Sequence, residues 1–128
     1  MKKQIEQVKE FNKVFGITDV EPHLRCNMIH EELFEYFNSN YKLNKGTGNL
    51  ELNIDKVEQA DAIGDMLYLL FGAVIDAGLE DKIEPILDEI HRSNMSKIED
   101  GVVLRREDGK VLKGKYYFKP NINAILNK

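Results

Sequence analysis

An all-α fold is predicted for this chain: a four- to five-helix bundle with a short C-terminal hairpin or irregular appendage. Three observations point there. Apolar residues recur at helical spacing in four separate segments. The longest apolar run, Met66 to Ile75, is bounded by Asp65 and Asp76; it is far too short to cross a bilayer and reads as part of a buried core helix. Strand-like runs beside a turn signal occur only after Asp100-Gly101.

The length of 128 residues suits one domain, with a helical core over about 1–99 and an appendage over about 100–128. Such a chain can build a core without a disulfide or zinc staple. A composition of 42% hydrophobic and 31% charged residues excludes a disordered tail or a collagen-like fibre. The net charge of −4 argues against a nucleic acid polymer as partner, which asks for a broad basic footprint. Cys26 is the lone cysteine and Met1-Lys2-Lys3-Gln4-Ile5-Glu6 lacks a signal peptide's apolar stretch, so a cytoplasmic protein with no membrane partner is expected.

The elements follow in order. Ile5, Val8, Phe11 or Asn12, and Phe15 keep helical spacing up to Gly16, a natural stop. A second helix starts near Pro22, suited to a first turn, and runs to about Asn38. Asn38 to Asn53, rich in Asn, Lys and Gly, reads as a mobile loop beside a site. A third helix opens at Asp55 and continues to Ala77 before Gly78; at 1.5 Å per residue it is ~33 Å long. A fourth carries Ile83, Ile86, Leu87 and Ile90 on one face, with Pro85 tolerable in its first turn and helical character through Lys97. Val102-Val103-Leu104 and Val111-Leu112 flank Asp108-Gly109 as a hairpin with a primed turn. Asn121 to Asn127 adds one closing turn.

The acids decide the chemistry. At ~100° per residue, Glu31, Glu32 and Glu35 fall within an arc of roughly 100° on the second helix. On the third, Glu58, Asp61 and Asp65 form a narrow stripe, and apolar residues fill most of the remaining circumference. A helix apolar nearly all round is expected to be buried, where ionised carboxylates are costly unless paired or bound to metal. Simpler readings exist for single residues: Glu58 completing a capping box with Asp55, or Asp65 pairing with a lysine of the appendage. Neither covers all three acids. Two such stripes facing each other make an all-oxygen cage, which selects Mg²⁺ or Mn²⁺ and leaves room for substrate phosphates. Paired ions in such a cage clamp both oxygens of an in-line displacement at phosphorus.

Glu31-Glu32-Leu33-Phe34-Glu35 followed by Glu58-Gln59-Ala60-Asp61 resembles the EExxE…ExxD signature of the all-α nucleoside triphosphate pyrophosphohydrolases. That superfamily includes MazG, dimeric dUTPases and phosphoribosyl-ATP pyrophosphohydrolase. The resemblance extends over about residues 22–121. It includes the apolar continuation Ala62 to Leu70, then His91 to Lys97 and Asp108 to Gly114, which look like the MazG-like and dUTPase-like branches.

The resemblance implies a single MazG-like helical domain. It implies a Mg²⁺-dependent hydrolase that cuts a (d)NTP between its α and β phosphates, releasing the monophosphate and pyrophosphate. Glu32, Glu35, Glu58 and Asp61 would be metal ligands, Glu31 would orient or deprotonate the attacking water, and Asp65 would be an extra acid nearby. MazG proper offers a second register, with its last acid directly before the apolar run; Ala62 then stands where a glutamate is expected. Asn94, Lys97, Lys110 and Lys113 are candidate substrate contacts, and a homodimer or homotetramer is implied. Phosphoribosyl-ATP is the alternative substrate. A non-catalytic interaction module is the alternative without chemistry. A di-iron bundle is disfavoured because Asp88-x-x-His91 is the nearest approach to its two Glu-x-x-His pairs.

Overall fold

The computed structural model describes residues 1–128 and contains five helices with one two-stranded antiparallel sheet, so the fold is mostly α as expected. No helix is long and apolar enough to cross a membrane. The chain forms two compact units, Met1–Glu80 and Asp81–Lys128.

The first unit holds α1 (Lys2–Val14), α2 (Pro22–Asn40), β1 (Tyr41–Leu43), β2 (Leu50–Leu52) and α3 (Lys56–Asp76). Ile5 and Val8 of α1 are buried, and the helix stops where Gly16 takes a φ of +65° that side chains disfavour. Pro22 opens α2, and the Glu21 carboxylate accepts from Leu24 N at 3.2 Å. Asp55 caps α3 by accepting from Val57 N and Glu58 N, both at 3.1 Å. No reciprocal capping box forms with Glu58, because the Asp55 N–H donates to Ser39 O at 2.8 Å. That leaves the Glu58 carboxylate free for other partners.

Residues 41–52 correct the expectation of a mobile loop. They form a hairpin in which Tyr41 faces Leu52 and Leu43 faces Leu50. The alternating pattern on both arms suits a pleated pair. The polar stretch between them is an ordered turn: Asn44 Oδ1 accepts from Gly46 N at 2.9 Å and Thr47 N at 3.2 Å, while Asn44 Nδ2 donates to Glu51 at 2.7 Å.

Helix α3 packs against both α1 and α2. Two pins fix α2 on α3 and show the pair to be antiparallel. At one end Arg25 of α2 meets Asp76 with Nε–Oδ2 2.7 Å and Nη2–Oδ1 3.3 Å. At the other, Gln59 Nε2 donates to Asn40 Oδ1 at 2.8 Å. The buried residues of the two helices are small: Ser39, Ala62 and Gly72. At Gly72 the space a side chain would take is filled by the Arg25 guanidinium of α2.

The expected full burial of α3 is not met. Val57, Leu67 and Leu70 are 80%, 49% and 47% exposed, because α1 and α2 cover part of the circumference and leave the rest of the apolar surface open.

In the second unit α4 (Ile83–Met95) has Pro85 in its first turn. It ends before Lys97, where the Ser96 hydroxyl donates to Ser93 O at 2.6 Å. The C-terminal segment is strapped onto α4. The Ser93 hydroxyl donates to Phe118 O at 2.8 Å, Glu89 accepts from Asn121 N at 2.7 Å, and Arg92 lies 4.2 Å over the Phe118 ring. Lys82 donates to Ile125 O and Lys128 O, closing the end of α5 (Ile122–Leu126).

The primed turn is at Asp100-Gly101, not at Asp108-Gly109. Asp100 and Gly101 have φ of +50° and +75° between the bridged pair Glu99 and Val102. Around Asp108 the turn is one residue wider: Arg106 N donates to Lys110 O at 2.8 Å, Gly109 N donates to Arg106 O at 2.9 Å, and Gly109 alone takes positive φ.

Candidate active site

The antiparallel pairing of α2 and α3 turns two acidic stripes toward each other. Carboxylate oxygens of Glu32, Glu35 and Asp65 all lie within 4.8 Å of one another. Glu32 Oε2 is buried without a hydrogen-bond partner. A buried, unpaired carboxylate oxygen is rare and calls for a positive partner.

The electrostatics agree. Glu32 is pushed up to about 7, first by burial, then by its hydrogen bond to Glu35 and the negative charges of Glu35, Asp65 and Asp61. Asp65 is also raised, by burial and then by Asp61 and Glu35. The cluster therefore resists full ionisation in the absence of a cation.

The candidates flank this centre unequally. Glu31 is exposed and lines a groove of about 310 Å³ with Glu32, Asp65 and Tyr68. Glu58 and Asp61 line another, of about 430 Å³, with Glu35, Asn38 and Lys42. Glu58 is directed to the outer edge, where Lys42 Nζ lies 3.8 Å from its Oε2 and 59% of its side chain is exposed. Asp65, expected as an extra acid, stands inside the tight cluster.

Sequence reasoning did not find the space beside the cluster. An apolar cavity of about 480 Å³ is lined by Phe11, Leu24 and Leu69, with Asn12, Thr18, Asp19 and Arg25 as polar groups. Met28, Tyr68 and Leu69 border both this cavity and the Glu32–Asp65 groove, so the two spaces adjoin. The available signal was the Gly16–Val20 connection, which leaves the apolar end of α1 and lines the cavity.

The remaining candidates belong to the second unit. Asn94 is exposed in the last turn of α4, and Lys97 O accepts from Gly114 N at 3.2 Å. Lys113 Nζ sits 4.7 Å over the Tyr117 ring, and Lys110 N donates to Asp108 within the turn. Arg92, with 60% of its side chain exposed, is held by Glu89 at 2.8 Å.

The family model described as phosphoribosyl-ATP pyrophosphohydrolase matches residues 2–94, which include every acid of the cluster and the whole first unit from Lys2 onward. A search of curated proteins gave no match. The chain belongs to the phosphoribosyl-ATP pyrophosphohydrolase family of the MazG-like superfamily, and it is a hydrolase of acid anhydrides acting on a nucleotide.

Proposed function

We propose that this enzyme cleaves the α–β phosphoanhydride of a nucleoside triphosphate, giving the monophosphate and pyrophosphate, with Mg²⁺ (Mn²⁺ in its place) held by the acids of α2 and α3. The observation that carries this reading is the orphaned Glu32 Oε2 inside the Glu32–Glu35–Asp65 cluster. An all-carboxylate donor set fits a hard divalent cation. Glu32, Glu35 and Asp65 would hold the cation, with Asp61 and Glu58 completing the acidic wall on the side facing Lys42. The bound cation supplies charge neutralisation on the phosphates and electrophilic activation of the phosphorus under attack.

The chain's own groups do the rest. Glu31, exposed in the same groove as Glu32 and Asp65, orients the attacking water and accepts its proton. The adjoining apolar cavity receives the nucleobase, with Tyr68 and Met28 at the boundary between base and phosphates. Asn94, Lys97, Lys110 and Lys113 remain proposed contacts to substrate.

The uncovered apolar surface of α2 and α3, including Leu33, Phe34 and Leu67, supports assembly into a homodimer or homotetramer. Free Cys26 suits a reducing compartment, and we place the enzyme in the cytoplasm as a single domain.

Membership of the phosphoribosyl-ATP pyrophosphohydrolase family favours a second reading, phosphoribosyl-ATP, which offers the same phosphate chemistry. A panel of (d)NTPs and phosphoribosyl-ATP separates the two. The full chain is incubated with each nucleotide and Mg²⁺, and phosphate is measured with and without added inorganic pyrophosphatase. Phosphate that appears only with the added pyrophosphatase, and no pyrophosphate seen directly by ³¹P nuclear magnetic resonance when EDTA replaces Mg²⁺, is the expected result. Direct release of orthophosphate, or turnover indifferent to EDTA, contradicts the proposal.

A further inference from the structure

Arg25 and Gly72 stand two helical turns from the acid cluster and touch neither groove that holds the acids. Their geometry is nevertheless tied to it. The Arg25 guanidinium lies so close over the α3 backbone that a Cβ on Gly72 would fall 2.5 Å from Nη1, 2.7 Å from Cζ and 2.8 Å from Nη2. Such a contact admits no side chain at position 72 unless the guanidinium moves. From that place Arg25 grips Asp76, one turn further along α3, through Nε and Nη2. The Arg25 side chain is 11% exposed and that of Asp76 25%, so the fork is shielded more than an ordinary surface pair.

The residue numbers place this contact on the same seam as the acids. Seven residues separate Arg25 from Glu32 on α2, and seven separate Gly72 from Asp65 on α3, counted in opposite directions as an antiparallel pair requires. Seven residues are two helical turns, or about 10 Å of axial rise, and return to nearly the same face. Arg25 over Gly72 and Glu32 beside Asp65 are therefore successive rungs of one ladder. Sliding either helix by a turn would displace its acids by about 5 Å, more than the whole spread of the cluster can absorb. The Asn40–Gln59 amide pair pins the seam on the far side of the acids, so they are held between two fixed points.

We infer that Arg25, Asp76 and Gly72 form a register lock, a set of positioning residues whose task is to hold Glu32 opposite Asp65 for divalent-cation binding. This rests on the metal-site reading above. The lock accounts for a glycine inside a long helix, where it costs about 1 kcal/mol of helix propensity relative to alanine. It also accounts for an arginine directed onto that glycine and away from solvent.

The test is Mn²⁺ affinity of the full chain, read from the electron spin resonance of free Mn²⁺, alongside thermal unfolding by circular dichroism. Asp76→Asn and Gly72→Ala are each expected to weaken Mn²⁺ binding at least tenfold while native helicity is retained at low temperature. The double variant Arg25→Ala/Gly72→Ala removes the clash together with the lock; it should fold normally and still bind Mn²⁺ weakly. A folded Asp76→Asn protein, or a folded double variant, that binds Mn²⁺ like the unmodified chain overturns the lock. Should the unmodified chain itself bind no Mn²⁺, the metal site falls, and the lock's purpose with it.

Discussion

Glu32 on α2 and Asp65 on α3 bring carboxylate oxygens within 4.8 Å of each other across the seam of two antiparallel helices. Two full charges at that separation repel by about 1 kcal/mol in water and about 3 kcal/mol at an effective dielectric of 20. The consequences can be measured.

The first concerns pH. Glu32 is raised from 4.5 to about 7 in the folded chain, so the folded state holds a proton that the unfolded state has released. Stability of the metal-free protein should therefore fall as pH rises from about 4.5 through 7, and then level off with respect to this group. Glu32→Gln should remove that slope and stabilise the metal-free protein at pH 8 by about 1–2 kcal/mol, after allowance for solvent screening. Urea unfolding in EDTA at pH 5 and pH 8 measures both. Protons compete with the cation for the same oxygens, so Mg²⁺ should restore the lost stability at pH 8 far more than at pH 5.

A second prediction ranks the ligands. Asp65 sits within the cluster, whereas Glu58 is largely exposed and meets Lys42 at 3.8 Å. Asp65→Asn should weaken Mg²⁺ binding at least tenfold, and Glu58→Gln several-fold less. Isothermal titration of the two variants decides the order.

A third addresses base recognition. Leu24 lines the apolar cavity but not the acidic groove. Leu24→Trp should fill the cavity and raise KM for the nucleotide at least tenfold, with Mg²⁺ affinity of the acid cluster unchanged. An unchanged KM in a folded variant would remove the cavity from the account.

A fourth lies in the second unit. Arg92 and the Asn121 N–H together hold Glu89 down to about 2. A depressed folded value stabilises above the ordinary carboxylate range, and that contribution is lost as pH falls from about 4.5 through 2. Glu89→Gln should lower the melting temperature at pH 7 and speed tryptic cleavage of the Lys115–Tyr116 bond. At pH 2 the variant and the parent should converge.

Much of this was legible in the letters because local rules governed it. Pro22, Asp55 and Gly16 mark helix ends by backbone chemistry that any context preserves. The order of the acids on two helices foretold a facing pair, but not which acids would meet. That depends on a register set by Arg25 and Gly72, which no periodicity displays. Asp100-Gly101 and Asp108-Gly109 carry the same dipeptide yet make turns of different width, since the bridges around them decide the loop length. The hairpin at 41–52 was hidden by the polar residues of its turn. The exposure of α3 escaped a reading in which an apolar circumference implies its own covering.

The most direct measurement is the product of turnover with Mg²⁺ for the unmodified chain and for Glu32→Ala, resolved by ³¹P nuclear magnetic resonance. Monophosphate and pyrophosphate from the former, with no turnover by a folded Glu32→Ala protein, is the result expected. Undiminished pyrophosphate release by that variant would contradict a centre built on Glu32.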